Sequence, residues 1–339
     1  MATIGDVARV AGVSRSTVSY ALSGKRSLSE DVRGRVAAAV EQLGYTPNAG
    51  ARALATSQTK VLGLLAQFYD DEFAPAMMQY FLGVSNTARA LGYDVLLISE
   101  PDGPAALERV LSSRMVDGVV LLNVAEQDAR VPVLQQASQP GALVGLPADC
   151  RGVDVFDLDF EEAGRLMVEH LHRLGHRELV LLSQPEHVVE RGGAYVWRLQ
   201  DAAREEAVRR GVVLHTAYGP PDQADVSQRI HELLDAHPGA TGLLLNNEAA
   251  GTALPSVLSA RGLRAPDDLS VVGRWSSQFA QYFCLPYSFV ESAPDRLGRM
   301  AVRQLVKRIE NGAAAASEPH VVRLVSPVLD DRGSTSRRP

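Results

Sequence analysis

The stretch from Thr3 to Gly24, TIGDVARVAGVSRSTVSYALSG, carries two short helical patterns. Gly12 interrupts them, and Ser14 is placed to cap the second helix. Two short helices joined by a glycine-containing turn predict a helix-turn-helix, a unit whose second helix enters the major groove of DNA. The apolar stripe of the first helix comprises Ile4, Val7, Ala8 and Ala11. The second helix is expected to turn Val18, Ala21 and Leu22 inward and Arg15, Ser16, Ser19 and Tyr20 outward.

A third helix is predicted to follow and to complete an all-α headpiece over residues 1–46. Ser29 is placed to cap it, and Glu30 and Asp31 lie in its first turn, where the helix dipole favours anions. Gly44 is expected to end it. Its predicted buried stripe comprises Val32, Val36, Val40 and Leu43.

Residues 47–60 are predicted to form a hinge and linker. The run PNAGARALA begins at Pro47, and Asn48 is placed to cap a helical turn or two. Such a helix is too short to be stable alone, so we expect it to fold only when DNA and a partner subunit pack on it. Leu54 would then be an exposed apolar side chain suited to wedging into a minor-groove base step.

Residues 3–56 resemble the headpiece and hinge of the LacI/GalR family of bacterial repressors, without gaps over TIGDVARVAGVSRSTVSYALSG and SEDVRGRVAAAVEQLGYTPNAGARALA. The resemblance implies that Arg15, Ser16 and Tyr20 read base edges. Arg15 suits a bidentate contact with guanine, whereas Tyr20 departs from the arginine common in the family, so the family's base preference there does not carry over. The implied phosphate-side contacts are Ser14, Thr17, Ser19, Ser23, Lys25 and Asn48. A three-helix bundle that binds another protein is the alternative for this headpiece.

Length and composition indicate a globular protein of two or three folding units. The chain has 339 residues, of which 46% are hydrophobic and 22% charged. No run approaches the roughly 18 apolar residues of a membrane span. Asp6 and Arg9 interrupt the region where a secretory signal would need its apolar core. We therefore expect a cytoplasmic protein with no membrane partner.

The charge is divided unevenly along the chain. The total is −6, which alone argues against a partner that is a polyanion. Residues 1–60, however, hold eight Lys/Arg against four Asp/Glu, a net of +4, which leaves 26 against 36, a net of −10, for the remainder. This division predicts a small phosphate-binding head on an acidic body.

Cysteine and histidine spacing predicts neither a metal site nor a cofactor. Cys150 and Cys284 are far apart in sequence and form no CxxC pair. His170, His172 and His176 do not share one helical face at metal-ligand spacing. The sequence also contains no P-loop, GxGxxG or GxSxG motif, so we expect no enzyme.

The body, residues 61–330, alternates short β-branched runs with helical segments. Such alternation predicts parallel sheets with helices on both faces. The predicted strands lie in VLGLLAQ, YDVLLISE, VDGVVLLNV, GALVGLP, ELVLLSQ, TGLLLNN and LSVVGRW. Left-handed helix caps are predicted at Gly92, Gly175, Gly211 and Gly262.

The family resemblance extends to the body through DLDFEEAGRLMVEHLHRLGHRELVLL, where the chain of such repressors crosses between two lobes. It implies a two-lobed α/β body of the periplasmic-binding-protein type I architecture, with doubly wound parallel sheets. The first lobe is expected over residues 61–158 and 291–320, and the second over 159–290 and 321–329. Residues 331–339 are expected to form a disordered tail.

An effector is expected in the cleft between the lobes, at the carboxyl ends of the strands. By resemblance, Arg198 is the arginine that grips the effector and Asn247 the asparagine of a strand-end motif, where Glu248 replaces the usual aspartate. VVGRWSS stands where the family reads VVGFDD, so Trp275 and Ser276 replace aspartates that bind sugar hydroxyls. Trp275 has two interpretations, a stacking face for a flat ligand or a plug of a ligandless cleft. Tyr69 and Phe73 are further candidate cleft residues.

Together these features predict a homodimeric transcriptional repressor. Two recognition helices would bind a pseudo-palindromic double-stranded DNA operator, under the control of a small molecule, expected to be a sugar. The alternatives are a regulator with a non-sugar effector or with none, and a solute-binding protein of a transporter. The sequence does not distinguish an inducer from a corepressor.

Overall fold

The computed structural model describes residues 2–23, 28–45, 58–67, 74–100, 102–312, 314 and 317–338. The chain folds as two units, residues 1–59 and residues 60–339. Among the described residues, no helix combines the length and the apolar character needed to cross a bilayer.

The first unit is the predicted three-helix headpiece, with α1 Ile4–Ala11, α2 Arg15–Ser23 and α3 Glu30–Leu43. Thr3 and Asp6 cap α1 reciprocally, and Gly12 and Gly44 end α1 and α3 at φ of 64° and 55°. The core consists of Val7, Ala8, Ala11, Val18, Val36 and Ala39. Leu22 was expected inward and is 41% exposed, because the buried face of α2 is narrow and centres on Val18.

The first sheet of the second unit is parallel throughout its described strands. Its strands are β1 Val61–Leu65, β2 Asp94–Ile98, β3 Gly118–Leu121, β4 Gly141–Val144, β5 Asp154–Leu158 and β11 Val322–Val325. They lie in the order β2-β1-β3-β4-β5-β11. Val119 and Leu121 pack on one face of the sheet and Val120 and Leu122 on the other, so helices cover both faces.

The second sheet repeats this design. Its strands are β6 Glu178–Ser183, β7 Val213–Tyr218, β8 Gly242–Leu245, β9 Ser270–Trp275, β10 Ser288–Glu291 and β12 Leu329–Asp330. They lie in the order β7-β6-β8-β9-β10-β12, with only β12 antiparallel. We call the layers around the first and second sheets lobe one and lobe two.

The helices of the second unit alternate with these strands as the sequence predicts. They are α4 Ala74–Ala90, α5 Gly103–Ser112, α6 Arg130–Gln136, α7 Phe160–Arg173, α8 Glu186–Glu190, α9 Ala194–Arg210, α10 Gln223–Ala236, α11 Glu248–Arg261, α12 Ser277–Ala280 and α13 Pro294–Asn311. The left-handed glycines are confirmed by positive φ at Gly92, Gly175, Gly211 and Gly262. The predicted doubly wound, two-lobed body is therefore confirmed.

The last lobe boundary was predicted wrongly. Residues 321–329 were expected in lobe two, but β11 pairs in parallel with β5 of lobe one, and only β12 joins the second sheet. Asp154 explains the placement of β11, because its buried carboxylate accepts hydrogen bonds from Arg308 of α13 (Nη2–Oδ1 2.9 Å) and from the Val321 backbone N–H (2.8 Å). These bonds hold the chain that enters β11 against the first sheet.

The expected disordered tail is also wrong for residues 331–338. Ser334 is buried, accepts a hydrogen bond from the Ser288 backbone N–H (2.7 Å) and donates one to the Val271 carbonyl (2.6 Å). The Arg338 backbone N–H donates to the Leu174 carbonyl (2.7 Å). The tail is polar in sequence, but its polar groups find partners in lobe two, which is why composition alone misled.

Candidate nucleic-acid interface and effector site

One face of the second helix of the headpiece, α2, packs on the headpiece core, and the opposite face is exposed to solvent. The Thr17 backbone N–H donates to Ser14 Oγ (3.1 Å), which confirms the predicted cap, and Val18 is fully buried. Arg15, Ser16 and Tyr20 lie on the exposed side, Tyr20 at 40%. The three residues expected to read bases therefore share a solvent-facing surface on a helix held by its other side.

Gly5 of α1 sets the position of Arg15. A Cβ built at Gly5 would lie 3.0 Å from Arg15 Nη2 and 3.1 Å from its Nε, so the guanidinium rests on the glycine. A Cβ at position 5 would require the guanidinium to shift by a few tenths of an ångström. The glycine thus lets the long side chain of Arg15 fold back onto α1 in the headpiece without DNA.

The hydroxyl groups expected at phosphates have partners inside the headpiece. Ser14 Oγ lies 2.7 Å from Ser16 Oγ and 2.8 Å from Thr17 Oγ1, and Ser19 is half-buried. Contact with a phosphate would need these hydroxyls to exchange hydrogen bonds. The remaining headpiece and hinge expectations fall at Lys25, Asn48 and Leu54, which lie outside the described residues, as does the side chain of Ser23.

In the body, Arg198 bridges the two lobes. It projects from α9, and its Nη1 donates to the Leu146 carbonyl of lobe one (3.0 Å). The Leu146 N–H in turn donates to Asp157 (3.0 Å). A Cβ built at Gly164 of α7 would collide with the Leu199 carbonyl, so this glycine lets α9 pack closely enough to present Arg198 at the cleft.

Asn247, which is expected to contact the effector, has hydrogen-bond partners inside lobe two. Its Oδ1 accepts from the Ala250 N–H (3.0 Å), which makes it the N-cap of α11. Its Nδ2 donates toward the carbonyls of Ser183 (3.3 Å), Gly219 (3.2 Å) and Pro220 (3.2 Å). These bonds hold the strand-end loops together around Asn247, and its Oδ1 keeps one lone pair for a further donor.

Trp275 is 1% exposed and belongs to the core of lobe two. Its ring lies 4.5 Å from Phe283 and 5.6 Å from Tyr287, centroid to centroid. Among the described residues, neither Trp275 Nε1 nor the Tyr287 hydroxyl has a hydrogen-bond partner. The plug interpretation is therefore favoured over an exposed stacking face. Tyr69 and Phe73, the other expected aromatics, lie outside the described residues.

A buried polar network that the sequence analysis did not assemble occupies the carboxyl ends of β8 and β9. Arg274 donates to Asn246 Oδ1 (Nε, 2.7 Å) and to Glu248 (Nη2–Oε1, 2.9 Å), and Gln184 donates to the other Glu248 oxygen (2.7 Å). Arg274 and Glu248 are each 5% exposed. Two residues of the sequence could have revealed this network. Glu248 and Arg274 both differ from the family pattern, and their opposite charges at the ends of neighbouring strands indicate an ion pair.

Lobe one contributes two further ionisable groups to this region. Asp157 is the penultimate residue of β5, and burial raises the pKa of its carboxyl to about 7, although Arg198 and Arg274 oppose the rise. Burial raises the pKa of the Tyr80 phenol of α4, which also interacts electrostatically with Arg274, Asp157 and Glu248. Acceptors and donors from both lobes thus converge at the strand ends, the usual position of a ligand in open α/β sheets.

A second direct contact between the lobes involves Ser276, which replaces a family aspartate. Its hydroxyl donates to Gln79 Oε1 of α4 and accepts from the Phe279 backbone N–H (3.0 Å), so it also caps α12. With Arg198, it links lobe one to lobe two by hydrogen bonds that a bound molecule or a lobe movement would exchange.

A helix-turn-helix headpiece followed by a two-lobed body with a polar interlobe region is the architecture of a ligand-responsive DNA-binding regulator. Comparison with protein families agrees. Residues 3–48 match the model for bacterial regulatory proteins of the lacI family, and residues 168–335 match a periplasmic binding protein-like domain.

Relatives and solved structures agree with both matches. The chain is 31% identical over 334 residues to the HTH-type transcriptional regulator CelR of Thermobifida fusca, covering 95% of each protein. It is 28% identical to the HTH-type transcriptional repressor PurR of Haemophilus influenzae, covering 91% of each. A structure described as a CelR–cellobiose complex is 28% identical at a TM-score of 0.67, covering 98% of this chain and all of that one. A lac repressor dimer bound to operator and the anti-inducer ONPF has a TM-score of 0.81 at 23% identity, covering 99% of each chain, and shows the shared fold.

The chain belongs to the lacI family of bacterial regulatory proteins, and it is a DNA-binding transcriptional regulator of the helix-turn-helix type.

Proposed function

We propose that this regulator represses transcription by binding a pseudo-palindromic operator as a homodimer in the cytoplasm, and that a small molecule in the interlobe cleft controls its affinity for DNA. The observation that carries the control by a ligand is the convergence of Arg198, Asp157, Glu248 and Arg274 at the strand ends of both lobes. Burial of charged groups costs free energy unless each is paired, and these groups lie where open α/β sheets bind their ligands, which supports a ligand site there.

At the DNA, Arg15, Ser16 and Tyr20 would contact base edges. Arg15 is suited to pair with guanine O6 and N7, and Tyr20 offers a ring and a hydroxyl where the family commonly has arginine. The contacts proposed for phosphates, at Ser14, Thr17, Ser19, Ser23, Lys25 and Asn48, would set orientation, and Leu54 would wedge into the minor groove. The exposure of the Arg15 side of α2 supports this surface.

The effector is proposed to be a sugar. Sugar hydroxyls both donate and accept, and the cleft presents carboxylate acceptors in Asp157 and Glu248 beside guanidinium donors in Arg198 and Arg274. The cellobiose complex described for CelR, the relative at 31% identity, supports the same class. Each of these four residues, like Asn247, already has partners inside the protein, so a bound sugar would have to exchange hydrogen bonds with them. We assign recognition first to Arg198, whose partner Leu146 lies on the other lobe.

A regulator without an effector is the second candidate, and one observation favours it. Trp275 fills the core behind the cleft, and the Arg198–Leu146 and Ser276–Gln79 hydrogen bonds already join the lobes. Such a body would serve as a dimerisation platform alone.

A thermal-shift screen distinguishes these candidates, because a ligand that binds only the folded state raises its melting temperature. Cellobiose and other mono- and disaccharides would be tested on the full chain, and each hit would be added to an operator-binding assay. The proposal predicts a hit that also changes operator affinity. If no sugar shifts the melting temperature, the effector assignment is wrong while the DNA-binding assignment stands.

Two arginines of α9 provide a matched pair of variants. Arg198→Met removes the bridge to Leu146 and should abolish the response to the sugar while operator binding persists. Arg204→Met alters a residue of the same helix whose partners are Asp201 and Thr216, on the surface. The control should keep the response. Equal responses in both variants would contradict the placement of the site.

A further inference from the structure

A cluster of metal-ligating side chains lies outside the proposed effector site. Glu178 is the first residue of β6, His215 lies within β7, and His237 is the C-cap of α10. One potential ligand atom from each lies within 4.8 Å of the other two, and all three residues are half-buried. Within the described part of the chain, no other group of three or more His, Cys, Asp or Glu side chains meets this criterion.

Strand pairing places the first two ligands together. In the parallel β6–β7 pair, Glu178 lies opposite Val213, and His215 is two residues further along β7. Alternate residues of a strand share one face, so Glu178 and His215 project from the same side of the sheet. His215 Nε2 lies 3.1 Å from Glu178 Oε1.

Backbone hydrogen bonds hold the third ligand beside them. The His237 N–H donates to the Leu233 carbonyl (3.0 Å), and the Ala240 N–H donates back to the His237 carbonyl (3.0 Å). The Thr241 N–H then donates to the carbonyl of Glu178 itself (3.1 Å). A Cβ at Gly239 would lie 2.4 Å from Glu178 Oε2, so the loop crosses close to the carboxylate and a side chain there would have to shift it.

The two histidine rings lie face to face. Their centroids are 3.7 Å apart and their planes differ by 13°. The hydrogen bond to Glu178 accounts for the position of His215 but not for that of His237. A tetrahedral zinc with bonds of about 2.0–2.2 Å separates its ligands by about 3.4 Å, close to the spacing of these groups. Because a metal binds in the plane of an imidazole ring, the two rings would have to turn out of the stack to reach one ion.

We propose that Glu178, His215 and His237 bind a zinc ion. Two imidazoles and one carboxylate form a nitrogen and oxygen donor set suited to Zn²⁺, whereas Mg²⁺ and Ca²⁺ prefer oxygen ligands alone. Three protein ligands leave a fourth position for water.

The zinc site is separate from the effector region. Glu178 lies at the amino end of β6, while Gln184 of the Arg274 network follows its carboxyl end. An ion here would tie the edge strand β7 to β6 and to the end of α10. Its role is thus to brace lobe two, and its presence does not depend on the effector or the operator.

Calorimetric titration of the untagged full chain with Zn²⁺ tests the proposal. The expected result is one zinc ion per chain at micromolar affinity or tighter, and a higher melting temperature with Zn²⁺ than with EDTA. His237→Gln, His215→Gln and Glu178→Gln should each weaken binding at least about tenfold. Replacement of zinc by Co²⁺ should give the visible absorption of a tetrahedral site in the wild type and not in these three variants.

His231→Gln is the matched control, since His231 is a half-buried histidine of α10 that contacts Arg261 outside the cluster. It should bind zinc as the wild type does. Circular dichroism in EDTA checks that each variant folds. If His215→Gln in strand β7 does not fold, the test rests on His237→Gln, whose residue lies at the end of α10. Failure of the wild type to bind Zn²⁺ saturably, or equal affinity in the His231 and His237 variants, would overturn the proposal.

Discussion

The buried Arg274–Glu248 pair should couple strongly in a double-mutant cycle. Both side chains are almost fully removed from water, and Arg274 is held by bonds of 2.7 and 2.9 Å. Arg274→Met would leave the Glu248 carboxylate with Gln184 as its remaining donor in the network. Removing one partner of such a pair costs about 3–5 kcal/mol, because it strands the other charge in a low dielectric.

The double variant Arg274→Met/Glu248→Gln should be less damaging than the sum of its single variants. Once neither charge is buried, the desolvation penalty disappears, and we expect a coupling energy of about 1–3 kcal/mol. Arg299→Met, which breaks the exposed pair with Asp295, should cost less than about 1 kcal/mol. Comparing the buried and the exposed ion pair therefore shows how much of the loss in unfolding free energy is due to burial and how much to the pairing of charges.

Urea unfolding at neutral pH, followed by tryptophan fluorescence, is the assay. Both tryptophans of the chain, Trp197 and Trp275, lie in the body, so the signal reports that unit without the headpiece. The slope of free energy against urea should stay constant across the variants. Additivity of the single variants within about 0.5 kcal/mol would refute the coupled network.

Three further predictions concern pH and the DNA surface. Burial lowers the pKa of His176 from 6.5 to about 4, so the folded state binds a proton less readily than the unfolded state. As the pH falls from 6.5 toward 4, the wild type should therefore lose up to about 3 kcal/mol of unfolding free energy relative to His176→Gln. A pH-independent difference between the two proteins would contradict this. The pH dependence at Asp157 runs the other way, because its raised pKa means that the folded state holds the proton more tightly than the unfolded state. The wild type should therefore lose stability relative to Asp157→Asn as the pH rises from about 4 to 7. A constant difference in unfolding free energy would exclude the raised pKa. Arg15→Ala should weaken operator binding by about 1–3 kcal/mol, as expected for loss of a bidentate contact with guanine, measured by fluorescence anisotropy. Gly5→Ala should cost less than about 0.5 kcal/mol, because the flexible end of Arg15 can shift by the few tenths of an ångström that a Cβ requires; equal losses in the two variants would contradict this.

The headpiece was predictable because its determinants are local. Ser14 and Ser29 cap the helices that follow them, and Val18 and Val36 are buried at the positions that helical spacing indicates. Such signals need only a few neighbouring residues. Leu22 is the exception: it lies on the apolar side of α2 but is exposed. Helical spacing shows which side of a helix is apolar, but not how much of that side the neighbouring helices cover.

The body was predictable in type but not in its long-range pairings. The assignment of β11 to lobe one depends on Asp154 meeting Val321, residues 167 positions apart, which no local pattern reveals. The packed tail likewise depends on Ser334 meeting Val271. Both pairings join segments whose own sequences are short and partly polar, so neither segment carries a strong strand or core signal.

The sequence located polar residues at the strand ends of the interlobe region, but it did not predict their contacts. The resemblance pointed to Arg198 at the cleft, where the structure finds its bond to Leu146. It also pointed to Asn247 and Trp275, which the structure uses for capping and packing. A motif gives a position along a strand end, whereas the direction of a side chain depends on neighbours such as Phe283 that are distant in sequence.

Selection of duplexes from a random-sequence library by the purified full chain tests the central claim most directly. The account predicts enrichment of one pseudo-palindromic sequence, a steep loss of its binding with rising salt, and a relaxed preference at one base pair of each half-site in Arg15→Ala. A wild-type chain with a folded headpiece that enriches no sequence over random competitor would contradict the account.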